Sequence, residues 1–132
     1  NSDITIAAIA GADGGDAENL KLDAGGAGDI IISGAVNNLD TLTIVAANNL
    51  RISGALAIET LTIDANTDAV QITGGGSIVD ATSFANATSL QINDASGTDT
   101  MTFTGGLVVE TPTSLTISET VATTTFPLKV SS

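Results

Sequence analysis

The side chains best suited to chemistry in this 132-residue sequence are carboxylates that recur at one position of a repeating pattern. Glu18, Asp40 and Glu59 each stand one residue before an Asn or Thr that opens an aliphatic triplet. If these positions stack in neighbouring strands, the carboxylates lie about 5 Å apart and repel unless a cation or a proton shields them. Such oxygen ligands suit Ca²⁺. The pattern therefore indicates candidate calcium ligands, with a solvated acidic edge as the alternative interpretation.

Two acid-rich loops extend the same hypothesis. Asp13 and Asp16 belong to the segment Asp-Gly-Gly-Asp-Ala-Glu at 13–18, and a second acidic loop covers 93–99. Neither loop has the spacing of an EF-hand or of the glycine-rich calcium nonapeptide. Asp13 and Asp16 are thus further candidate calcium ligands, although Gly, Asp and Asn equally serve as turn residues.

The composition excludes most other chemistry. The chain has no Cys and no His, so thiolate nucleophiles, Cys-based zinc sites and the usual general base are absent. Fifteen acidic residues against three basic ones give a net charge of −12, which disfavours nucleic acid and anionic lipid. Paired carboxylates could hydrolyse a glycosidic bond, but such a site needs aromatic and basic side chains that are scarce here. We predict no catalytic residue and no enzymatic activity, and no cofactor other than the candidate Ca²⁺.

A repeat that runs along the chain must position these groups. Apolar-x-apolar triplets occur in two alternating forms, one preceded by Asn, Thr or Ser and one often followed by a small residue and Gly. The first form is NLKL at 19–22, TLTI at 41–44 and 60–63, SLQI at 89–92 and SLTI at 114–117. The second is ITI at 4–6, III at 30–32, LRI at 50–52, VQI at 70–72, MTF at 101–103 and LKV at 128–130. Period-two alternation rich in Ile, Val and Thr predicts strands.

A unit of about twenty residues is too short for a strand–helix–strand crossover and fits one coil of a parallel β-solenoid. We predict an all-β chain, residues 1–132 as a single β-solenoid (β-helix) domain of about five coils. Each coil has roughly 20 residues or more, with loop insertions at 7–18, 75–88 and 118–126. Phe84 and Phe126 lie in two of those loops and are expected to cover a groove or an end. An antiparallel β-sandwich is the competing fold.

In the solenoid interpretation, each form of triplet stacks in its own column. All five triplets of the first form share one column, and all six of the second form share another. A third, shorter side is predicted to hold Val36, Leu56, Ile78 and Val108. The three basic residues, Lys21, Arg51 and Lys129, stand at triplet centres and are expected to face solvent.

Two further surface patterns have simple alternatives. Thr41/Thr43 and Thr60/Thr62, with Ser89/Gln91 and Ser114/Thr116 expected beneath them, form an ice-binding pattern, yet exposed Thr on a strand needs no special explanation. Asn86-Ala-Thr matches a glycosylation sequon, which matters only in a eukaryotic secretory host.

The ends of the repeat suggest assembly. The pattern begins at Ile4, Thr5 and Ile6 and ends at Leu128, Lys129 and Val130, without a cap-like segment outside it. Bare terminal strands expose apolar surface and unpaired edges. These six residues are therefore candidate assembly edges, either within a longer solenoid or between copies stacked head to tail, a contact that generates a filament.

The first residue, Asn1, is not Met, which leads us to expect a processed chain or an excised piece. No apolar run approaches the 18 or so residues that span a bilayer, so membrane insertion is not expected.

The segment DIIISGAVNNLDTLTIVAANNLRISGAL resembles the repeats of large secreted bacterial surface proteins of the filamentous hemagglutinin and adhesin type. The likeness covers residues 29–73 well and the rest loosely. It implies a right-handed parallel β-helix, an extracellular or cell-surface location after removal of a signal peptide, and a structural or adhesive role. The expected partners are copies of the same chain and, in addition, cations. The predicted function is that of a non-enzymatic structural subunit that stacks end to end into an extracellular filament, sheath or matrix. The alternative is one stretch of a giant adhesin stalk that binds a surface or acts as a spacer.

Overall fold

The computed structural model describes residues 2–12, 17–86, 88–92, 99–110, 112–118, 120–123 and 129–130. Within these residues the chain forms fifteen β-strands and no helix. The strands are β1 (Ile4–Ile6), β2 (Ile9–Ala10), β3 (Asn19–Asp23), β4 (Ile30–Ile32), β5 (Val36–Ile52), β6 (Leu56–Ile63), β7 (Thr67–Ile72), β8 (Gly76–Ile78), β9 (Thr82–Phe84), β10 (Ser89–Ile92), β11 (Thr100–Phe103), β12 (Leu107–Val109), β13 (Ser114–Ile117), β14 (Thr120–Thr123) and β15 (Lys129–Val130).

Every strand pair in the described part of the chain is parallel. All fifteen strands belong to one hydrogen-bonded sheet, which curls around a single aliphatic core. This confirms an all-β chain built on a parallel sheet, an arrangement consistent with a β-solenoid-like fold. The antiparallel sandwich is wrong, because its neighbouring strands would run in opposite directions.

The pairing divides the sheet into three ladders, in which equivalent residues of successive strands lie side by side. The first ladder contains segments 4–6, 30–32, 50–52, 70–72, 89–92 and 114–117. The second contains 9–10, 36–39, 56–58, 76–78, 101–103 and 120–123. The third contains 19–23, 41–44, 60–63, 82–84, 107–109 and 129–130.

The column assignment predicted for the second half of the chain is wrong. Segments 89–92 and 114–117 continue the first ladder below Val70–Ile72, instead of lying under the two TLTI segments. The reason is that β8 and β9 lie within 75–88, where the sequence predicts a loop. They fill the second and third ladders of that rung, so the next segment, 89–92, returns to the first ladder. Segments 101–103 and 129–130 consequently fall on the second and third ladders.

The other predicted loops and the third side are corrected in the same way. Strand β2 lies within 7–18 and strand β14 within 118–126. Val36, Leu56 and Ile78 do share the second ladder, but Val108 lies on the third, beside Ser83. The regions predicted as loops thus contain strands of their own. These strands pair in parallel like the others, and they change the ladder to which each later segment belongs.

Aliphatic side chains fill the interior in register. Ile30, Leu50, Val70 and Leu90 occupy equivalent positions and are each at most 1% exposed. Complete burial of such a side chain contributes about 1.5–3 kcal/mol. Phe84 is 0% exposed and meets the Phe103 ring edge to face, with centroids 6.3 Å apart. Phe84 is therefore a core residue, not a loop residue over a groove; Phe126 lies outside the described residues.

Glycine marks one corner of the sheet because neighbouring rungs approach closely there. Ser33-Gly34, Ser53-Gly54 and Thr73-Gly74 each follow a first-ladder segment. A Cβ atom built on Gly54 would lie 2.0 Å from the carbonyl carbon of Gly34, and one on Gly74 would lie 2.3 Å from that of Gly54. The small-residue-plus-Gly signature of the repeat therefore reflects backbone packed directly against backbone.

Candidate functional site: the sheet edges

Three strands at the amino-terminal end of the sheet pair on one side only within the described residues. β1 pairs with β4, and both β2 and β3 pair with β5. Ile4, Ile6, Ile9 and Leu20 pack against the core but are only half-buried. This end therefore presents both backbone hydrogen-bonding groups and apolar side chains.

The opposite end presents a matching set of three edge strands. Among the described residues, β13 pairs only with β10, β14 only with β11 and β15 only with β12. Leu115 and Val121 are half-buried, and Val130 is 53% exposed. Among the described residues, each ladder thus has one open edge at either end of the sheet.

The candidate assembly residues do lie in edge strands, but they do not share a ladder. Ile4, Thr5 and Ile6 open the first ladder, whereas Lys129 and Val130 close the third. Leu128 lies outside the described residues. The single column predicted for the second-form triplets is therefore wrong for these two segments, and among the described residues the first ladder ends with Ser114–Ile117 instead.

Backbone hydrogen bonds define which groups face the open edges of the first ladder. Ile4 N–H donates to Asp29 O at 2.8 Å, and Ile6 O accepts from Ser33 N–H at 3.0 Å. Because successive residues of a strand direct their backbone groups to opposite sides, the N–H and C=O of Thr5 face away from β4. At the other end, Ser114 N–H donates to Thr88 O at 3.2 Å, so the N–H and C=O of Leu115 and Ile117 face outward.

The predicted calcium ligands are brought together only in part. Asp40 N–H donates to Glu18 O at 3.0 Å, and the pairs Leu39–Ile58 and Thr41–Thr60 place Asp40 beside Glu59. These three positions therefore stack on neighbouring rungs, as the spacing predicted. Within the described residues, however, no three acidic side chains are grouped so that they could hold a metal ion. Asp13 and Asp16 lie outside the described residues, and calcium binding stays a prediction.

A better-defined polar cluster surrounds Asp29, which is not among the predicted site residues. One Asp29 carboxylate oxygen accepts from Asn48 Nδ2 at 3.1 Å, Asn49 Nδ2 at 2.9 Å and Asn49 N–H at 3.2 Å. Asp29 N–H in turn donates to the Asp3 carboxylate at 2.9 Å. The bonds from the Asn49 and Asn48 side chains lower the pKa of Asp29 below its ordinary value of 3.8. The sequence did contain a signal for this contact. Asp29 and Asn49 directly precede the triplets 30–32 and 50–52, which are twenty residues apart, so the repeat places the two side chains on neighbouring rungs.

The Asp29 cluster gives the stability of the fold a pH dependence. The pKa of Asp29 is lower in the folded chain than in the unfolded one, so its contribution is complete above pH 3.8. The contribution is lost as the pH falls below 3.8 through the lower folded-state value. We expect Asp29→Asn to reduce the acid dependence of the unfolding free energy in that window, as measured by urea titration at several pH values. Asp68→Asn, at an exposed carboxylate, is the control, and an equal effect of both variants would contradict the assignment.

The outward face of the first ladder carries an open groove of about 390 Å³ with a mixed polar and apolar lining. Arg51, Gln71 and Gln91 stand on successive rungs there, and Gln71 Nε2 donates to Gln91 Oε1 at 2.7 Å. The three basic side chains Lys21, Arg51 and Lys129 are exposed, as predicted.

The threonine pattern is brought together only in part. Thr41 lies beside Thr60 and Thr43 beside Thr62, but Ser89 and Ser114 are on another ladder. The threonine array is thus smaller than the ice-binding interpretation requires.

Two buried polar side chains lie near the turn that leads back into the first ladder. Asn86 Nδ2 donates to Asp68 O at 3.2 Å and to Ser89 O at 2.7 Å, while Asn86 Oδ1 and Thr67 Oγ1 have no protein partner. Asn86 and Thr67 are both 0% exposed. The asparagine of the sequon is consequently inaccessible in the folded chain.

Thr67 provides a stabilising substitution. Valine has nearly the same shape and removes a buried hydroxyl that no protein group bonds, so Thr67→Val should raise the unfolding free energy by about 1 kcal/mol. Thr82→Val is the matched control, because the buried Thr82 hydroxyl donates to Asp80 O at 3.4 Å. Denaturant titration should show a gain for the first variant and none for the second. If Thr67→Val lowered the unfolding free energy, the assignment of the Thr67 hydroxyl as buried and without a hydrogen bond would be contradicted.

Comparison with protein-family models, curated proteins and solved structures found no match to this chain. In the described part of the chain there is no helix that is long and apolar enough to cross a membrane. Function therefore has to follow from the chain's own edges and surface chemistry.

Proposed function

We propose that this protein is a non-enzymatic, extracellular structural protein whose copies stack end to end into a filament, sheath or matrix. In this proposal the chain is a β-solenoid of six coils, one for each segment of a ladder. Most coils have about twenty residues and two are lengthened by insertions. Six segments in each ladder support a count of six, where the triplets alone predict about five.

The observation that carries the proposal is that, in the part of the chain that the structure describes, three parallel strand edges are open at each end. In a parallel ladder every strand bonds one neighbour through one set of backbone groups and the other neighbour through the alternate set. The outward N–H and C=O groups of the first strand of one copy can therefore bond the outward C=O and N–H groups of the last strand of another copy. Half-buried Ile4 and Ile9 at one end and Leu115 and Val121 at the other add apolar surface that stacking would remove from water.

Charge sets the conditions for assembly. A net charge of −12 makes copies repel, and at low salt this repulsion extends over roughly 30 Å. Added salt screens it and leaves the short-range edge contacts intact. We therefore expect stacking to be favoured by higher ionic strength.

Sedimentation velocity over a series of protein and salt concentrations tests the proposal. The expected result is a set of elongated species whose size rises with both concentrations. Thr5→Pro removes the outward N–H of the edge strand, a position where proline is tolerated, and should reduce assembly. Thr5→Ala retains the N–H and is the matched control. A single monomeric species throughout, at high salt as well as low, would reject self-assembly.

The alternative is that the chain is one segment of a large bacterial adhesin stalk that acts as a spacer or binds a surface. The likeness of 29–73 to adhesin repeats favours it. In that case the open edges pair with further coils of the same polypeptide. A longer reading frame that continues the repeat on both sides would favour this alternative over stacking of separate copies.

A further inference from the structure

We infer that copies join in one defined register, in which Ile4, Thr5 and Ile6 of one copy lie beside Leu115, Thr116 and Ile117 of the next. This inference rests on the proposed end-to-end stacking and specifies the strand that each edge accepts as its partner. It differs from the pairing that the triplet sequence suggests, in which Ile4–Ile6 would meet 128–130.

The backbone groups at the two ends are complementary in this register. Within the ladder, residues equivalent to Ile4 donate to the residue that precedes their partner, as Ile4 N–H does to Asp29 O. Applied across two copies, the same geometry has Leu115 O accept from Thr5 N–H and Thr5 O accept from Ile117 N–H. These are the groups that face outward at the two open edges. The contact between copies therefore repeats the bonding between rungs inside one copy.

Side-chain alternation fixes the same register. Leu115 and Ile117 continue the inward column of Leu90 and Ile92, and Ile4 and Ile6 begin the column of Ile30 and Ile32. A slip of one residue would turn every inward side chain to solvent. Only a shift by an even number of residues keeps the aliphatic side chains inside. A shift by two residues would leave one of the two inward aliphatic residues of each edge strand without an aliphatic neighbour in the other copy.

The other two ladders agree with this alignment. Val121 stands at the position equivalent to Ile9 on the second ladder, and Val130 at the position equivalent to Leu22 on the third. On the outer face of the third ladder, Lys129 would then align with Lys21. These like charges oppose each other at low salt and add to the expected salt dependence.

Disulfide formation between single-cysteine variants tests the register, because the natural chain contains no Cys. Thr5, Thr116, Lys21 and Lys129 are all exposed, so each Cys variant should fold, which circular dichroism verifies. Strands in one ladder lie about 4.8 Å apart, within the Cα separation that a disulfide spans. Mixtures of Thr5→Cys with Thr116→Cys, and of Lys21→Cys with Lys129→Cys, should form covalent dimers on mild oxidation. The mismatched mixtures, Thr5→Cys with Lys129→Cys and Lys21→Cys with Thr116→Cys, are the controls and should form at least about tenfold less dimer.

Sedimentation of the same samples under reducing conditions separates the two levels of the proposal. Assembly accompanied by the matched disulfides supports the register. Assembly accompanied by mismatched disulfides, by Thr5→Cys homodimers or by no disulfide overturns the register and leaves stacking in place. Absence of both assembly and disulfides overturns the proposed function and the register with it.

Discussion

Replacing Gly54 by Ala should lower the unfolding free energy by about 3 kcal/mol or more, a large share of the 5–15 kcal/mol typical of a folded domain. The added Cβ atom would lie 2.0 Å from Gly34 C, 2.1 Å from Gly34 O and 2.5 Å from Ala35 N. All three atoms are backbone of the adjacent rung, so no side chain can rotate away to relieve the contact. The rungs must instead separate at this corner, which lengthens ladder hydrogen bonds.

Gly26→Ala is the matched control for this prediction. Apart from Gly26 itself and its two chain neighbours, no residue has an atom within 4 Å of a Cβ built at Gly26, and the φ of Gly26 is not in the left-handed region. We expect a change within about 0.5 kcal/mol, or a small gain from restriction of the unfolded chain. Far-ultraviolet circular dichroism in a denaturant titration is the suitable measurement, because the chain has no Trp or Tyr. Equal stability of the two variants would contradict close stacking of the Gly corner.

Replacing Phe84 by Ala should cost about 3–5 kcal/mol, the range found when a buried aromatic side chain is removed. Phe84 is 0% exposed, lies on the third ladder and packs edge to face on Phe103. Removing it leaves a cavity in the middle of the core. Phe84→Leu, which refills much of that volume, should cost markedly less.

Val79→Ala tests the competing interpretation in the same part of the chain. Val79 is 49% exposed, and its truncation should cost less than about 1 kcal/mol. If Phe84 covered the outside of a loop, its replacement by Ala would have an equally small effect. The same denaturant titration distinguishes these outcomes, and similar values for the two Ala variants would contradict burial of Phe84.

The strands and the parallel sheet could be predicted because both leave a regular pattern in the sequence, with a period of two residues within a strand and of about twenty residues between paired strands. Period-two alternation at Ile30–Ile32 and Leu50–Ile52 marks strands, and successive shifts of twenty residues align Ile30 with Leu50 and Leu50 with Val70. The basic residues at triplet centres are exposed for the same reason, since the central residue of each triplet points away from the core. Regular spacing from residue 29 to 73 therefore determined the ladder assignment in that region.

Ladder assignment failed where the spacing changes. The segments around Ile78 and Phe84 carry weaker triplets, GSI and TSF. Their weak pattern predicts a loop, but both segments pair in the sheet. One overlooked pair of strands moved the two later SL triplets from the third ladder to the first. Apolar-x-apolar triplets fit any of the three ladders, so only the count of intervening strands can assign them.

The acidic rungs illustrate a second limit of sequence reasoning. Repeat spacing correctly placed Glu18, Asp40 and Glu59 on neighbouring rungs, but a metal site also requires side chains that converge on one point. Rotamers determine convergence, and spacing does not contain that information. The Asp29 cluster shows the converse case, because the side chains of Asn48 and Asn49 bond one carboxylate oxygen although no sequence motif predicts this contact.

Electron microscopy of the concentrated protein at raised ionic strength, combined with fibre diffraction, tests end-to-end stacking most directly. The predicted result is unbranched fibres with strands perpendicular to the fibre axis. A reflection at about 4.8 Å should lie along that axis, and six rungs per copy give an axial repeat of about 29 Å. Dispersed single particles without fibres, or fibres whose 4.8 Å spacing runs across the axis, would contradict the stacking of copies through their open ladder edges.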